Sequence, residues 1–315
     1  MGLVWDLAFL AVGLVLLFIG GEGLVKGATS IAIRFGLSRL IVGLVIVGFG
    51  TSAPELLVSI QAALAGSPDI AIGNVVGSNI ANILLILGVA AVIAPIANTD
   101  TSIRRDLVVM VAASLLIGAL FLFGTIDRVM GIGLFAALGV YLVVSYGLER
   151  RRRKAVQVEL REEAPGLAPL PAGLFVVAGI VMLVLGARFM VDGATGIARD
   201  LGISEAVIGL TIVAIGTSLP ELATAIVAAR KREAEVVLAN VVGSNIFNIL
   251  CILGITAIIS PIPVADRFAS VDGPIMIAVA AAAALYLYRV TIVGRGVGAA
   301  LLLAYAGYVA VQNTV

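Results

Sequence analysis

Apolar residues fall in long uninterrupted runs along the chain, and polar residues gather in short stretches between these runs. A run of about 20 apolar residues lets a helix cross a bilayer, whereas membrane β-strands show short alternating segments. The pattern predicts an all-α polytopic membrane protein with ten transmembrane helices, five in each half. The predicted spans are residues 5–33, 40–65, 69–94, 105–123, 127–147, 170–199, 205–229, 235–262, 270–289 and 295–313.

The second half of the chain repeats the first. Residues 43–96 match residues 209–262 at roughly 30 positions without a gap, which indicates internal duplication. The stretch NVVGSNIANILLILG, which begins at Asn74, returns as NVVGSNIFNILCILG from Asn240. Because each unit has an odd number of spans, the second copy enters the membrane from the opposite side. The halves are therefore predicted to be inverted repeats.

Basic residues are distributed unevenly between the predicted loops. With the N-terminus outside, the inner loops hold about 16 Lys and Arg residues and the outer loops about 3. Since basic loops favour the cytoplasmic side, both termini are predicted to lie outside a plasma (inner) membrane. Repeat-equivalent positions also exchange charge, because Lys26 corresponds to Asp192 and Arg34 to Asp200.

A charged and then proline-rich stretch separates the halves. We predict a first five-helix repeat over residues 1–147 with its core at 40–97, and a cytoplasmic linker over residues 148–170. A second, inverted five-helix repeat follows over residues 171–315 with its core at 206–263. The linker is too short for a folded regulatory domain. No feature calls for an obligate partner, so a functional monomer is expected.

The heptad GTSAPEL of the first half returns in the second half as GTSLPEL, in both cases inside a predicted span. Proline has no N–H, and its ring clashes with the carbonyl four residues earlier, so Pro54 and Pro220 should interrupt their helices. The breaks are predicted near residues 48–53 and 214–219. Broken helices at matching places in two halves are typical of a transporter's binding site.

A glutamate follows each of these prolines. Glu55 and Glu221 lie deep inside predicted spans, where an ionised side chain costs roughly 3 kcal/mol on insertion scales and needs a partner. No basic residue is predicted at this depth in the same helices, so the natural partner is a bound cation. For Glu22 and Arg188, another repeat-equivalent pair, we expect a structural ion pair or side chains that reach towards the interface, and no role in transport.

Oxygen-bearing side chains accompany the glutamates. Ser78 and Asn82 are four residues apart and share a helix face, as do Ser244 and Asn248. Oxygen ligands suit hard ions such as Ca²⁺ and Na⁺ and argue against Zn²⁺. Two carboxylates match the charge of one Ca²⁺. The heptads add the oxygens of Thr51, Ser52, Thr217 and Ser218.

Some of these polar residues also have a purely structural explanation. Serine and asparagine in membrane helices often serve close packing or hydrogen bonds between helices. This is an alternative for Ser78 and Asn82. For Asn79 and Asn245 we favour packing or hydrogen bonding at a helix end.

The composition fits a membrane protein, with 61% hydrophobic and 12% charged residues and a mean hydropathy of +1.19. The chain has no histidine, which removes the commonest proton relay and transition-metal ligand. Its single cysteine, Cys251, allows no disulfide within the chain. Without a candidate pair of nucleophile and base, we expect neither enzymatic activity nor a cofactor.

The two heptads, with GNVVGSNIANILLILG and ANVVGSNIFNILCILG, resemble the two α-repeats of the cation/Ca²⁺ exchanger superfamily. The branch they resemble most is the sodium/calcium exchangers in their compact prokaryotic form, and the resemblance covers nearly the whole chain. It implies that Glu55 and Glu221 bind Ca²⁺ and also Na⁺. It also implies that the backbone oxygens of Thr51 and Thr217 join the Ca²⁺ site.

The resemblance further implies Na⁺ sites on both sides of the centre, completed by the carbonyls of Gly48 and Ala214. Asn82 matches the family's asparagine. Asn248 stands where some members, associated with K⁺ dependence, carry aspartate. The hydroxyl groups at the Na⁺ sites would come from Ser52, Ser78, Ser218 and Ser244.

The expected function is sodium/calcium antiport, in which a Na⁺ gradient drives Ca²⁺ across the membrane by alternating access with net charge movement. The transported ions are Ca²⁺ and Na⁺, and no nucleic acid is involved. An H⁺- or K⁺-coupled antiporter of Ca²⁺ or another divalent cation is the alternative. A passive cation channel is a further alternative, disfavoured because two broken helices meeting at one centre are typical of a transporter.

Overall fold

The computed structural model describes residues 3–35, 42–98, 103–156, 167–201 and 214–312. Helices dominate this part of the chain. The first half contains α1 (Leu3–Phe35), α2 (Phe49–Thr51), α3 (Ala53–Leu64), α4 (Pro68–Ala81), α5 (Leu87–Ile93), α6 (Ile103–Phe121) and α7 (Arg128–Val156). The second half contains α8 (Pro169–Asp200), α9 (Ala214–Thr217), α10 (Leu219–Arg230), α11 (Ala234–Phe247), α12 (Gly254–Ile259), α13 (Gly273–Arg289) and α14 (Arg295–Gln312).

Within the described residues, four π-helical stretches lie at the ends of these helices: Gly43–Gly48, Asn82–Ile86, Asn248–Leu253 and Phe268–Asp272. The first leads directly into α2. The next two join α4 to α5 and α11 to α12, so each of these pairs is one continuous helix. Isolated π turns within helices often occur at functional sites.

The predicted helical membrane fold is confirmed at a coarse level. Within the described residues, six helices are long and apolar enough to cross a membrane. The ten-span count and its inverted arrangement stay predictions, and residues 205–213 of the seventh predicted span lie outside the described residues. The six helices are Leu3–Phe35, Pro68–Ile93, Arg128–Leu148, Pro169–Ala198, Ala234–Ile259 and Phe268–Arg289.

The centre of the molecule is built by two helices that are equivalent in the repeat. In an apolar stretch of 18 residues within Pro68–Ile93, 72% of the stretch is buried. The same share is 100% for Ala234–Ile259, against 22% for Leu3–Phe35. The site residues of α4 and α11 therefore lie in the protein interior, whereas much of α1 and α8 faces outwards.

Helices α1 and α8 pack against each other in antiparallel directions through glycines. A Cβ built at Gly13 would lie 2.8 Å from the carbonyl oxygen of Gly186, and one built at Gly20 would lie 2.9 Å from that of Gly179. Such short approaches leave no room for a side chain. Small residues allow this kind of backbone contact between membrane helices.

Two short antiparallel ribbons connect the halves. Strand β1 (Ile96–Ala97) pairs with β4 (Ile292–Val293), and β2 (Thr125–Ile126) pairs with β3 (Ile262–Pro263). Each ribbon joins a loop of one half to a loop of the other half. The sequence did not predict these strands, because two-residue segments give no periodic signal.

The predicted linker at residues 148–170 is partly helical. Helix α7 continues to Val156, and α8 already begins at Pro169. Residues 157–166 lie outside the described residues, and the domain boundaries stay predictions.

Candidate cation-binding site

Both heptads interrupt a helix at their serine. Helix α2 ends before Ser52, whose backbone adopts φ −81° and ψ 7°, and α3 begins immediately after it with Pro54 in its first turn. Ser218 separates α9 from α10 in the same way, with φ −87° and ψ 4°. Each interruption is one residue long and falls within the region where the sequence predicted a break. The proline starts the second helix segment, where its missing N–H is tolerated.

The two glutamates are buried beside these interruptions. Glu55 is 1% exposed and Glu221 is 2% exposed, and within the described residues neither forms an ion pair. The Ser52 hydroxyl donates to Oε1 of Glu221 over 3.1 Å, and Ser218 is the corresponding neighbour of the Glu55 carboxylate. Each broken helix therefore contacts the carboxylate of the other half.

Several buried oxygens at this centre lack a hydrogen-bond partner among the described residues. They include Oε2 of both glutamates and the hydroxyl of Ser244. Leaving such groups unsatisfied costs free energy, so they mark a place that a ligand can occupy. All of these atoms suit a hard cation.

The two asparagines of the predicted set, Asn82 and Asn248, have equivalent hydrogen bonds in the two halves. The amide nitrogen of Asn82 donates to Oδ1 of Asn245 over 3.0 Å, and that of Asn248 donates to Oδ1 of Asn79 over 3.1 Å. Oδ1 of Asn82 and Oδ1 of Asn248 have no hydrogen-bond partner in the described part of the chain. Asn79 and Asn245 thus accept hydrogen bonds from the other half of the chain, and they orient the two predicted ligands.

The threonine hydroxyls are directed towards protein acceptors. Oγ1 of Thr51 lies 2.9 Å from the carbonyl oxygen of Val47 and 3.3 Å from that of Gly48. Oγ1 of Thr217 donates to Oδ1 of Asn74 over 3.3 Å. The contribution of the threonine backbone oxygens to a cation site stays a prediction.

The remaining predicted residues also lie near the interruptions. Ser218 donates to the Ser78 hydroxyl over 3.4 Å, across the two halves. Gly48 accepts the N–H of Ser52 over 3.1 Å, and a Cβ built on it would lie 3.4 Å from the backbone nitrogen of Ser244. Ala214 is the first residue of α9, and its side chain is outside the described set.

Asn74 and Asn240 are residues of this centre that sequence reasoning missed. Both contact the backbone of a central glutamate, since their amide nitrogens lie 3.1 Å from the carbonyl oxygens of Glu55 and Glu221. A signal was available, because the two asparagines are repeat-equivalent amides inside predicted spans.

The centre is poor in charge. The described residues contain no group of three or more His, Cys, Asp or Glu side chains that could hold a metal ion. Two carboxylates with hydroxyl, amide and carbonyl oxygens can compensate a few positive charges. Such a set fits Na⁺ and Ca²⁺ better than a transition metal.

Comparisons with known proteins agree on one family. A family model described as sodium/calcium exchanger protein matches residues 5–147 and 171–313. The chain is 39% identical over 300 residues to the inner membrane protein YrbG of Escherichia coli (strain K12), covering 93% of this chain and 92% of that one. It is 32% identical over 338 residues to the sodium/calcium exchanger MaX1 of Methanosarcina acetivorans, covering 96% of this chain and 97% of that one.

The fold is also similar to a solved structure. The sodium-calcium exchanger NCX_Mj, soaked with Na⁺ and Sr²⁺, superimposes with a TM-score of 0.85 at 29% sequence identity. The match covers 98% of this chain and 99% of that chain.

Proposed function

Because this chain belongs to the sodium/calcium exchanger family, we propose that it is a secondary antiporter in which a Na⁺ gradient drives Ca²⁺ across the plasma (inner) membrane. As a member of this family it is a multi-pass membrane transporter rather than an enzyme. The observation that supports the proposal best is the pair of buried glutamates, each with an unpartnered oxygen in the described structure. The ten-helix inverted repeat, the external termini and the functional monomer belong to the same proposal.

The proposed site has a Ca²⁺ position at its centre. Glu55 and Glu221 supply the charge, and the backbone oxygens of Thr51 and Thr217 complete the set. The flanking Na⁺ positions use the carbonyls of Gly48 and Ala214 together with serine hydroxyls and the amide oxygens of the asparagines that directly follow α4 and α11. These further ligands are Ser52, Ser78, Asn82, Ser218, Ser244 and Asn248.

The charge balance suggests electrogenic exchange. One Ca²⁺ neutralises two carboxylates, whereas three Na⁺ leave one positive charge on the loaded site. Moving one charge across the membrane potential changes the free energy by about 2.3 kcal/mol per 100 mV. Exchange should therefore respond to voltage.

Coupling to another ion is the main alternative. In a K⁺-dependent exchanger, an aspartate would strengthen the site at position 248, but this chain has a neutral asparagine there. H⁺ coupling lacks a histidine relay. A channel differs from both, because it needs no counter-ion for flux.

A gradient exchange assay tests the proposal. In proteoliposomes loaded with Na⁺ and diluted into Na⁺-free buffer, Ca²⁺ uptake should be at least about tenfold faster than in vesicles with Na⁺ on both sides. Uptake should also respond to a K⁺–valinomycin potential. The control vesicles carry a K⁺ or an H⁺ gradient instead. Uptake that ignores the Na⁺ gradient would refute the proposed coupling, and uptake without any counter-ion would favour the channel.

Alternating access is proposed to involve movement of α1 and α8 as a pair, and the structure is asymmetric around that pair. Val227 of α10 is 1% exposed, and a Cβ built at Gly21 of α1 would lie 3.2 Å from its Cγ2. Gln61 of α3, the repeat equivalent of Val227, is exposed. Helix α1 thus covers the C-terminal end of α10, while the equivalent part of α3 remains accessible.

An ion pair reinforces this covered end. Nζ of Lys231 lies 3.6 Å from Oε2 of Glu22, and the guanidinium of Arg230 lies 5.3 Å from the ring centre of Phe18. Arg188, the repeat equivalent of Glu22, instead approaches Asp192 of its own helix at 4.0 Å. Glu22 and Arg188 thus form separate ion pairs and do not pair with each other. In the described residues, only the first of these pairs joins α1 to the end of α10, where Lys231 directly follows the helix.

Removing this contact should shift the conformational balance. We expect Glu22→Gln to expose the covered end of α10 about two- to fivefold more often, because a half-exposed ion pair contributes at most about 1 kcal/mol. The measurement is the labelling rate of a cysteine placed at Ala229 in a Cys251→Ala background. Arg188→Gln is the matched control, with an unchanged rate. Equal rates in wild type and Glu22→Gln would contradict the prediction.

A further inference from the structure

Asn74 and Asn240 each connect the two halves of the protein at the broken helices. The amide nitrogen of Asn240 donates to the carbonyl oxygen of Glu221 over 3.1 Å, and its Oδ1 accepts the hydroxyl of Thr51 over 3.4 Å. Asn74 repeats this pattern with the carbonyl oxygen of Glu55 and the hydroxyl of Thr217. In both cases the donor contact lies within one half and the acceptor contact reaches the other half.

The chemistry of the partners fixes the orientation of both amides. A backbone carbonyl can only accept, so the group facing it must be the amide nitrogen. The amide oxygen then faces the threonine hydroxyl, which is able to donate. For Asn74, the nitrogen also donates to the Ser59 hydroxyl over 3.0 Å, and this hydroxyl is free to accept because it donates its own proton to the carbonyl oxygen of Ala71.

These contacts distinguish Asn74 and Asn240 from the asparagines of the proposed ion site. Oδ1 of Asn82 and Oδ1 of Asn248 have no hydrogen-bond partner in the described residues and are available to a cation. Oδ1 of Asn74 and Oδ1 of Asn240 each face a threonine hydroxyl of the other half instead, at 3.3 Å and 3.4 Å. The second pair is therefore suited to positioning rather than ligation.

The contact also involves a carbonyl of the proposed Na⁺ site. The single hydroxyl proton of Thr51 can reach Oδ1 of Asn240 or the carbonyl oxygens of Val47 and Gly48. When Asn240 accepts this proton, the carbonyl oxygen of Gly48 loses the Thr51 hydroxyl and keeps the N–H of Ser52, which leaves one lone pair for a cation. The position of α11 in the second half thereby influences an ion ligand in the first half.

We propose that Asn74 and Asn240 are positioning residues that hold each broken helix against the opposite half in the ion-binding arrangement. We call the two contacts Asn240–Thr51 and Asn74–Thr217 the cross-braces. This inference rests on the proposed function for the identity of the ion. The cross-braces keep the threonine backbone close to the two glutamates. Loss of a cross-brace should therefore weaken ion binding more than it slows the transport cycle.

Single variants test whether the cross-braces position ligands. We expect Asn240→Ala and Thr51→Val each to raise the KM for Ca²⁺ about tenfold, the equivalent of about 1.4 kcal/mol, with less than a twofold change in maximal rate. Thr51→Val is nearly isosteric and remains informative where an alanine variant does not fold. An unchanged KM in folded Asn240→Ala and Thr51→Val would overturn the proposal.

A charge-changing variant separates positioning from ligation. Asn240→Asp keeps an oxygen towards Thr51 but replaces the donor facing the Glu221 carbonyl with a second acceptor. As a positioning residue, Asn240 should give weaker Ca²⁺ binding when changed to Asp. Tighter Ca²⁺ binding by Asn240→Asp would instead identify it as an ion ligand and overturn the assignment.

A double-mutant cycle gives the sharpest test. The pair Thr51→Val and Asn240→Ala should be strongly non-additive, because either change removes the same cross-brace. The matched control pair, Thr51→Val and Asn74→Ala, removes two different cross-braces and should be close to additive. Equal coupling in both cycles would refute the specific pairing.

The same experiment separates this inference from the proposed function. Wild-type protein that exchanges Ca²⁺ with a Na⁺ gradient, alongside no coupling in the Thr51–Asn240 cycle, overturns the cross-braces alone. Wild-type protein that exchanges no Ca²⁺ overturns the proposed function. In that case the cycle measured on thermal unfolding in detergent, without added cation, still tests the pairing: coupling supports it and additivity refutes it.

Discussion

Glutamine in place of Glu55 or Glu221 should lower Na⁺-driven Ca²⁺ exchange by about 100-fold or more while the protein still folds. The substitution keeps the size of each buried side chain and removes its charge. Removing one partner of a buried charge interaction typically costs about 3–5 kcal/mol, and each 1.4 kcal/mol corresponds to about tenfold. The measurement is initial Ca²⁺ uptake into proteoliposomes with an outward Na⁺ gradient.

The folded state should tolerate both substitutions. Without a cation, each glutamate buries an oxygen that has no hydrogen-bond partner in the described structure, so a neutral amide removes an unfavourable charge. We therefore expect the unfolding temperature of the cation-free protein to stay the same or rise. The stabilisation that Ca²⁺ gives to wild type should disappear, because a ligand stabilises only the state that binds it.

A carboxylate outside the centre serves as the control. Asp69 lies in the first turn of α4, after Pro68, and its charge fits a helix N-terminus. Asp69→Asn should retain exchange within about twofold. Near-normal exchange by both Glu55→Gln and Glu221→Gln would contradict the assignment of the ion site.

The parts of the site that were predictable have a local cause in the sequence. Proline removes a backbone donor wherever it occurs, so the interruptions at Ser52 and Ser218 follow from Pro54 and Pro220. A buried carboxylate needs compensation in any membrane helix, which singled out Glu55 and its repeat equivalent. The long helices were predictable because a long apolar run is likewise a local property of the sequence.

Other features depend on contacts between distant segments and could not be predicted in this way. The π-helical stretch that begins at Asn82 has an ordinary apolar sequence. Asn245, to which the amide of Asn82 donates, lies in the other half. The sequence does not distinguish Asn74 from the other polar residues of the repeat, because its contact with Thr217 forms only in the folded protein. The sequence also leaves open which end is closed, because equivalent positions such as Gln61 and Val227 differ in burial through conformation.

Alanine in place of Gly179 should destabilise the protein and slow exchange, because it forces α1 and α8 apart. A Cβ at this position would lie 2.6 Å from the backbone nitrogen of Leu24 and 2.8 Å from the carbonyl oxygen of Gly20. Backbone atoms in two long helices cannot move aside separately, so the helix axes must separate. Overpacking of this kind typically costs about 1–3 kcal/mol.

The displacement should reach the ion site through α8. Ile180, the next residue of α8, covers Gly50, since a Cβ built there would lie 2.5 Å from its Cδ1. Val191 of the same helix contacts Gly216 in the second heptad. One helix therefore touches both broken segments, and its displacement would disturb them together. We expect a lower unfolding temperature and at least a fivefold loss of exchange rate for Gly179→Ala.

The matched control on the same helix should not lower stability. A Cβ at Gly173 meets no atom within 4 Å. Alanine is more favourable than glycine in a helix by up to about 1 kcal/mol, so Gly173→Ala should leave the unfolding temperature unchanged or raise it. Because both variants make the same glycine-to-alanine change, comparing the two positions separates the effect of packing from that of helix propensity. If Gly173→Ala and Gly179→Ala had equal unfolding temperatures and exchange rates, the close approach of α1 and α8 would not be required. The proposed movement of the two helices as a pair would then lose its structural basis.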